Sequence, residues 1–407
     1  MRTITTALLL CAGASAASAN AFVLNDFSAK ATGRGAAVAA TSADGPSIVY
    51  NVAGIAGTQG TTFYVGGALI IPDGSFKDVR TGMTTHTESP PAVIPGIFLT
   101  HRLLDKVVLG LGFHTPFGSR LLWGDDSPSL DEVREQVLRT YFITPSIGVD
   151  LGKQVPGLRI GAGVDLVPAT VKLTQDIFFG DATGSATLGG NAFGIGGRAG
   201  VTYTPAAAPR LSFGLSWRSK VKLDFEGDGD FDAPAPYRPQ LPIDGSIKTA
   251  ITLPQSINAG MAVRPTDKLE VEANAQWIGW SSVDQLEITL PNDSVTLSPR
   301  NYEDRVTVRI GAEYKASDAL SLRGGYIYDP TPIPSTTLTA ALPDINRHDL
   351  TVGVGYRLGR FTGDLGFLWV MPGTKDTSDE PNMPVYKGQY GLEVFLLNLS
   401  LSGQFGN

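Results

Sequence analysis

Leu211-Ser212-Phe213-Gly214-Leu215-Ser216-Trp217-Arg218-Ser219-Lys220-Val221-Lys222-Leu223-Asp224-Phe225-Glu226 alternates apolar and polar residues along nearly its whole length. A period of two marks a strand. At ~3.3 Å per residue the stretch reaches roughly 50 Å, more than most soluble sheets need but suited to a tilted strand crossing an outer membrane. The pattern recurs in Val306, Val308, Ile310, Ala312 and Tyr314 against Thr307, Arg309, Gly311, Glu313 and Lys315, and in Phe193, Ile195, Ala199, Val201 and Tyr203 against Arg198 and Thr202. One face is expected to meet lipid and the other a polar lumen. A cation on the lipid face at mid-bilayer costs about 2–4 kcal/mol, so Arg198, Arg218, Lys220, Arg309, Arg323 and Arg357 are expected to point inward. Leu211, Phe213, Leu215, Trp217, Val221, Leu223 and Phe225 then share the opposite face.

With 407 residues, 48 Gly, 42% hydrophobic and 17% charged, composition suits either two soluble domains or one large barrel. The net charge of −7 gives no reason to expect nucleic acid as a partner. Residues 1–19 read as a secretory leader: Arg2 is the basic start, Ile4 to Ala14 the apolar stretch, and Ala17-Ser18-Ala19 a small-residue cleavage site. Cys11 falls inside it, so the exported chain is expected to carry no thiol, which excludes disulfides, thiolate metal sites and cysteine nucleophiles. No other apolar run is long enough for a membrane-spanning helix.

Alternation and turn residues give about fourteen strands between residues 61 and 405. Short turns such as Gly152–Gly157, Thr204–Pro209 and Leu358–Arg360 alternate with long polar or Gly/Pro-rich connections, the asymmetry of a barrel with periplasmic turns and extracellular loops. The expected class is all-β, a transmembrane antiparallel barrel over 61–407. Residues 20–60 do not alternate and carry few large apolar groups besides Phe22, Leu24 and Phe27. A disordered leader and a hatch, or plug, folded in the lumen both fit, and the plug is favoured.

The chain resembles the FadL family, outer-membrane transporters of long-chain fatty acids and aromatic hydrocarbons. The resemblance is carried by Ala21 to Ser28, Tyr50 to Ala56, Pro116-Phe117-Gly118, Trp217 to Lys222, Gly279-Trp280-Ser281 and Tyr328 to Pro332. It implies a monomeric fourteen-stranded barrel with an N-terminal hatch, ligand-binding extracellular loops, and an inward kink in the third strand that opens the wall sideways. Phe22 and Leu24 resemble the family's pocket-lining hatch residues, and Phe27 is grouped with them. Two departures stand out. The family's Asn-Pro-Ala-Gly hatch motif is Asn51-Val52-Ala53-Gly54 here, and Gly406-Asn407 follow the terminal aromatic Phe405.

The residues themselves also bear on function. Moving about ten methylenes from an apolar site into water costs roughly 8 kcal/mol, so a water-filled channel is the wrong route for a hydrophobic cargo. Leu121, Leu122 and Trp123 after the third strand, and Ile177, Phe178 and Phe179 between the fifth and sixth, are candidates for a collecting groove. Pro116 lacks an amide donor and Gly118 permits a bend, so strand pairing is expected to break around Pro116, Phe117 and Gly118. Lys172 is a candidate lumenal cation for a carboxylate head group. Hydrophobic small molecules, outer-membrane lipid and lipopolysaccharide are the expected partners, with no metal and no cofactor.

Other motifs carry less. Gly194, Gly196 and Ala199 match a dinucleotide fingerprint by letters, but within an alternating strand that no helix follows. Asp228, Asp230 and Asp232 begin like a calcium loop, yet Ala233 and Pro239 stand where Gly and Glu are required. The competing functions are a general porin and, less favoured, a barrel hydrolase. For the latter, His86 and His101 are expected in a loop and near a turn, His348 sits beside Asp349, and His114, the one expected on the wall, has no readable Ser-Asp arrangement.

Overall fold

The structure is a computed structural model and describes residues 21–381 and 386–406. The leader expected over residues 1–19 lies outside them. Fourteen antiparallel strands form one closed barrel. They are β1 (Thr61–Asp78), β2 (Ala92–Leu104), β3 (Val107–His114 and Gly118–Leu122), β4 (Glu135–Thr140 and Phe142–Asp150), β5 (Leu158–Phe178), β6 (Thr183–Tyr203) and β7 (Leu211–Arg218 and Val221–Asp232). The circle continues with β8 (Gly245–Leu253 and Ser256–Val263), β9 (Leu269–Ile278 and Gln285–Thr289), β10 (Val295–Pro299 and Arg305–Lys315), β11 (Leu320–Asp329), β12 (Arg347–Leu358), β13 (Phe361–Asp376) and β14 (Gly388–Phe405). Pairing of β1 with β14, from Thr61↔Phe405 to Asp78↔Gly388, closes the sheet. Closure removes the free edge that lipid could not hydrate.

Side-chain parity follows the bilayer. On β10, Val306, Val308 and Ile310 are exposed outward while Thr307 and Arg309 are buried. Arg198, Arg309 and Arg323 are buried as expected, and Arg357 lines a cavity at the periplasmic mouth.

The long alternating stretch itself is not one face. Leu211, Phe213, Leu215 and Trp217 point outward, but Val221, Leu223 and Phe225 are buried, while Lys222, Asp224 and Glu226 are exposed. Lys220, expected in the lumen, is exposed. The cause is a bulge at Ser219-Lys220: β7 pairs with β6 at Arg218↔Arg198 and resumes at Glu226↔Asn191, so β7 has one more residue between these pairs than β6. One extra residue turns every later side chain to the other face. Below the bulge the outer face of β7 is apolar; above it that face carries Lys222, Asp224 and Glu226, and the apolar residues of β7 turn in.

Residues 21–58 are folded within the lumen, around the short helices Ala29–Thr32 and Ser47–Tyr50 and the 3-10 turn Val52–Gly57. The wall contributes hydrogen bonds from across the barrel. Asn398 Nδ2 donates to the Asp26 carbonyl at 2.8 Å, Arg198 Nη1 to the Ile48 carbonyl at 2.7 Å, and Arg34 Nη1 to Glu270 at 2.9 Å. Inward glycines make the fit. A Cβ on Gly214 would lie 2.1 Å from the Ala39 carbonyl, one on Gly311 2.1 Å from that of Arg34, and one on Gly366 2.4 Å from that of Ala29.

Candidate functional site

The site begins where β3 breaks. Its lower part pairs with β2 up to Gly96↔His114, and its upper part ladders with β4, from Gly118↔Arg139 to Leu122↔Glu135, its end held on the other edge by residues 87–89, where the Glu88 amide donates to the Leu122 carbonyl at 2.8 Å. Ala92–Pro95 of β2 therefore pair with β1 and have no ladder partner on β3. Thr115, Pro116 and Phe117 form the interruption. Their pairing is taken over by the lumenal segment: Leu24 donates its amide to the Pro116 carbonyl at 2.9 Å, Gly118 donates to Phe22 at 3.0 Å, and Val23 bridges Phe117. Proline supplies no amide here, so the break leaves one donor fewer to satisfy.

Phe22 is wedged between Phe117, with centroids 6.0 Å apart, and Trp280, at 4.9 Å and edge-on. Leu24 and Phe27 belong to a second buried group with Ile48, Tyr50 and Phe98. Phe27 meets the His114 ring at 5.4 Å. Two small cavities flank Leu24. One, of about 40 Å³, is lined by Phe27, Tyr50, Arg218 and Asn258; the other, of about 30 Å³, by Ile327, Asp349, Leu368 and Val394. Each has room for little more than one water, so a larger guest requires the segment to move. A much larger cavity, about 1080 Å³, lies elsewhere, at the periplasmic end among Lys30, Glu313, Lys315, Arg357 and Arg360.

Charged groups brace this region. Arg198 pairs with Asp165 at 2.7 Å and approaches His114 Nε2 at 3.2 Å. The Arg218 guanidinium lies 4.5 Å over the Phe117 ring, and its Nε and Nη2 are buried without a hydrogen-bond partner among the described residues. No local signal in the sequence marks Arg218 as a site residue, because the ring it stacks on is about a hundred positions away. Asn51 of the Asn51-Val52-Ala53-Gly54 turn donates to the carbonyls of Ala39 and Val201, and its Oδ1 accepts from Ala53. The same Oδ1 would lie 2.0 Å from a Cβ on Gly200, and a Cβ on Gly54 would meet the Ser42 carbonyl at 2.2 Å. The turn thus fits the wall without the family's proline.

The two loop candidates part company. Leu121 and Leu122 lie in β3 rather than after it; Leu121 and Trp123 are buried with Phe22 and Phe117 in one apolar group, Leu122 is half-buried beside them, and Trp123 Nε1 donates to the Ala340 carbonyl at 3.0 Å. Ile177 and Phe178 are the end of β5 rather than a loop, Phe178 is exposed, and Phe179 stacks on Tyr237 at 4.7 Å. They do not join the first cluster. Lys172 is not lumenal either: it is exposed, shares the parity of the outward Ile160 and Val164, and pairs with Glu135 at 2.6 Å. Alternation continues unbroken along β5, and the position falls on the outer side.

Above the site, two extracellular segments are stitched together. Ala340 donates to Glu132 at 3.3 Å, and Asp344 accepts from Thr331 at 2.7 Å and from the Ala21 amide at 3.1 Å. Burial raises the carboxyls of Glu132 and Asp344 above their ordinary range, and pushes the Tyr302 phenol up to about 12.

Residues 10–405 match the family profile described as "Outer membrane protein transport protein (OMPP1/FadL/TodX)". The chain is 24% identical over 373 residues to the long-chain fatty acid transport protein of Salmonella typhi, covering 83% of this chain and 84% of that protein. It is 24% identical over 458 residues to outer membrane protein P1 of Haemophilus influenzae, covering 98% of each. Among solved structures it is similar to a Pseudomonas aeruginosa FadL homologue (TM-score 0.84, 18% identity, 95% of this chain and 100% of that one). It is also similar to the toluene transporter TodX of P. putida (TM-score 0.78, 18% identity, 94% and 100%). Closed barrel, lipid-facing parity and near full-length match agree: the chain belongs to the FadL/TodX family of outer-membrane transport proteins, which are transporters and not enzymes.

Proposed function

We propose that the protein carries hydrophobic small molecules passively across the outer membrane, the class that holds both the long-chain fatty acids of the Salmonella typhi relative's name and the toluene of the P. putida transporter's. Cargo collects on the apolar group at the extracellular end of β3 around Leu121 and Trp123 and passes to a pocket that opens beside Phe22, Leu24 and Phe27 when the lumenal segment moves. It then leaves sideways into the outer leaflet beside Pro116, Phe117 and Gly118. Residues 21–58 act as a plug, so that small polar solutes do not share the path.

The observation that carries this reading is the ladder between β2 and β3, which ends at Gly96↔His114 while both strands continue. The alternative exit, through the periplasmic cavity, is lined with Lys, Arg, Glu and Asp and would put the apolar cargo into water at about 0.8 kcal/mol per methylene. Replacing Pro116 with Val and Gly118 with Thr tests it. Val restores an amide donor, and a Cβ on Gly118 meets nothing closer than 3.4 Å. Uptake of a hydrophobic probe is expected to fall while equilibrium binding persists. Normal uptake by a variant whose wall is shown to be closed overturns the lateral route.

A further inference from the structure

A second discontinuity in the wall lies between β6 and β7. Ladder pairs join these strands up to Arg218↔Arg198 and again from Glu226↔Asn191. Residues 192–197 of β6 have no ladder pair with residues 219–225 of β7. Only Ser219 crosses, donating its amide to the Gly197 carbonyl and accepting from the Gly197 amide on its hydroxyl, each at 2.8 Å. Over this span β7 is displaced into the lumen. A Cβ on Gly194 would meet Val221 Cγ1 at 2.5 Å and the Lys222 carbonyl at 2.9 Å, and one on Gly196 would meet Val221 Cγ2 at 2.7 Å. The two glycines that resemble a nucleotide fingerprint thus have another use: they make room for a neighbouring strand to bend inward across them.

A row of ladder pairs, His114↔Phe142, Ile143↔Leu166 and Leu166↔Ile195, joins the β3 break to the seam across the wall. On its inner side, Val221 and Leu223 belong to the same buried apolar group as Phe22 and Phe117, continuous through Phe142 and Val167. On its outer side β6 presents Phe193 and Ile195, 60% and 63% exposed, while Lys220 and Lys222 of β7 are exposed across the seam from them. Along the β6 side, apolar surface therefore runs from the proposed pocket to the outer face, interrupted by two side chains and no ladder.

We propose that this seam is a second lateral passage between the interior pocket and the outer leaflet, closed in this conformation by Val221 and Leu223 packed on Gly194 and Gly196. It takes the same class of apolar cargo, and it rests on the reading of the protein as a transporter of hydrophobic molecules. Opening it breaks no β6–β7 ladder pair; it requires loss of the two Ser219–Gly197 hydrogen bonds, a shift of the bulged segment together with the part of β8 it pairs with, and rotation of two apolar side chains.

The test combines two closures. With Cys11 the only native cysteine, and inside the expected leader, Gly194→Cys with Val221→Cys gives a single bridgeable pair across the seam. It is made in the wild-type chain and in the Pro116→Val/Gly118→Thr chain. Uptake of radiolabelled oleate and of radiolabelled toluene into cells is measured with and without reductant, with heat-modifiable folding and ligand binding as controls. A second passage predicts that the β3-closed chain keeps a substantial part of its uptake, and that the oxidised pair lowers this remainder at least about fivefold, reversibly on reduction. If closing β3 alone abolishes uptake, or if the remainder is the same oxidised and reduced, the second passage is overturned while the β3 exit stands or falls separately. Should the wild-type chain carry neither probe, the transporter reading itself fails. As an independent check that needs no disulfide, Val221→Ala/Leu223→Ala in the β3-closed chain is expected to raise uptake at least twofold; unchanged uptake by a folded variant counts against the passage.

Discussion

The amide of Gly118 donates to the carbonyl of Phe22 at 3.0 Å, so the kinked part of the wall is paired to the lumenal segment rather than to β2. The reciprocal bond runs from the Leu24 amide to Pro116. Leu24→Pro removes that donor, worth about 0.5–1.5 kcal/mol, and restricts the backbone at the join. The segment is expected to loosen while the barrel stays folded. Planar-bilayer conductance should rise above that of the wild type; equal conductance would mean that this pairing does not hold the segment in place.

The wall glycines give a sharper test of the same packing. Gly311→Val places a Cβ 2.1 Å from the Arg34 carbonyl, whereas Gly324→Val, on the neighbouring strand, meets only the Thr351 carbonyl at 3.8 Å. Small ions should pass more readily through the first variant and no more than normally through the second. Heat-modifiable folding should be normal in both. Matching conductances would show that the segment adapts to the wall instead of requiring bare backbone.

The bulge at Ser219-Lys220 predicts a change of face that labelling can read. Lys222→Cys and Asp224→Cys should react with a membrane-impermeant maleimide on intact cells, and Leu223→Cys should not. Reaction of Leu223→Cys alone would restore the unbroken face. Below the bulge, Leu215→Arg puts a cation on the lipid face and is expected to cost about 2–4 kcal/mol, read as lost heat-modifiable barrel.

This stretch also shows what the sequence conceals. The odd positions from Leu211 to Phe225 are mostly apolar, yet they face lipid below Ser219 and the interior above it. An inserted residue and a change from lipid to water outside occur at the same place, and their effects on the letter pattern cancel. The strand count, the buried Arg198, Arg309 and Arg323, and the break at Pro116 were legible because each rests on a local rule of parity or missing donors. The sets around Arg218 and Asp344 were not, since they join residues far apart in the chain. Lys172 lies outside because its parity, counted from Ile160, is that of the outward positions of β5.

The stitched extracellular segments should respond to pH. Burial raises Glu132 and Asp344, so the folded loops hold protons that the unfolded loops release. Their contribution to docking is fully present below the ordinary carboxyl range of ~4 and is lost as pH rises through the raised values. Proteolysis of residues 331–346 on intact cells should quicken across that interval. Glu132→Gln/Asp344→Asn should flatten the dependence, and an unaltered pH profile in this double variant would assign it to other groups.

The bulge has a bearing on the bilayer itself. Outward apolar residues run on β6 from Tyr203 up to Phe193, but on β7 they end at Trp217, which pairs with Ala199. Six residues of height, roughly 20 Å along the strand at ~3.3 Å each, separate the two limits. Acyl chains beside β7 thus meet a shorter hydrophobic face than those beside β6 and must tilt or thin to match it. The protein does more than sit in the outer leaflet: along one side it sets the local depth of the lipid.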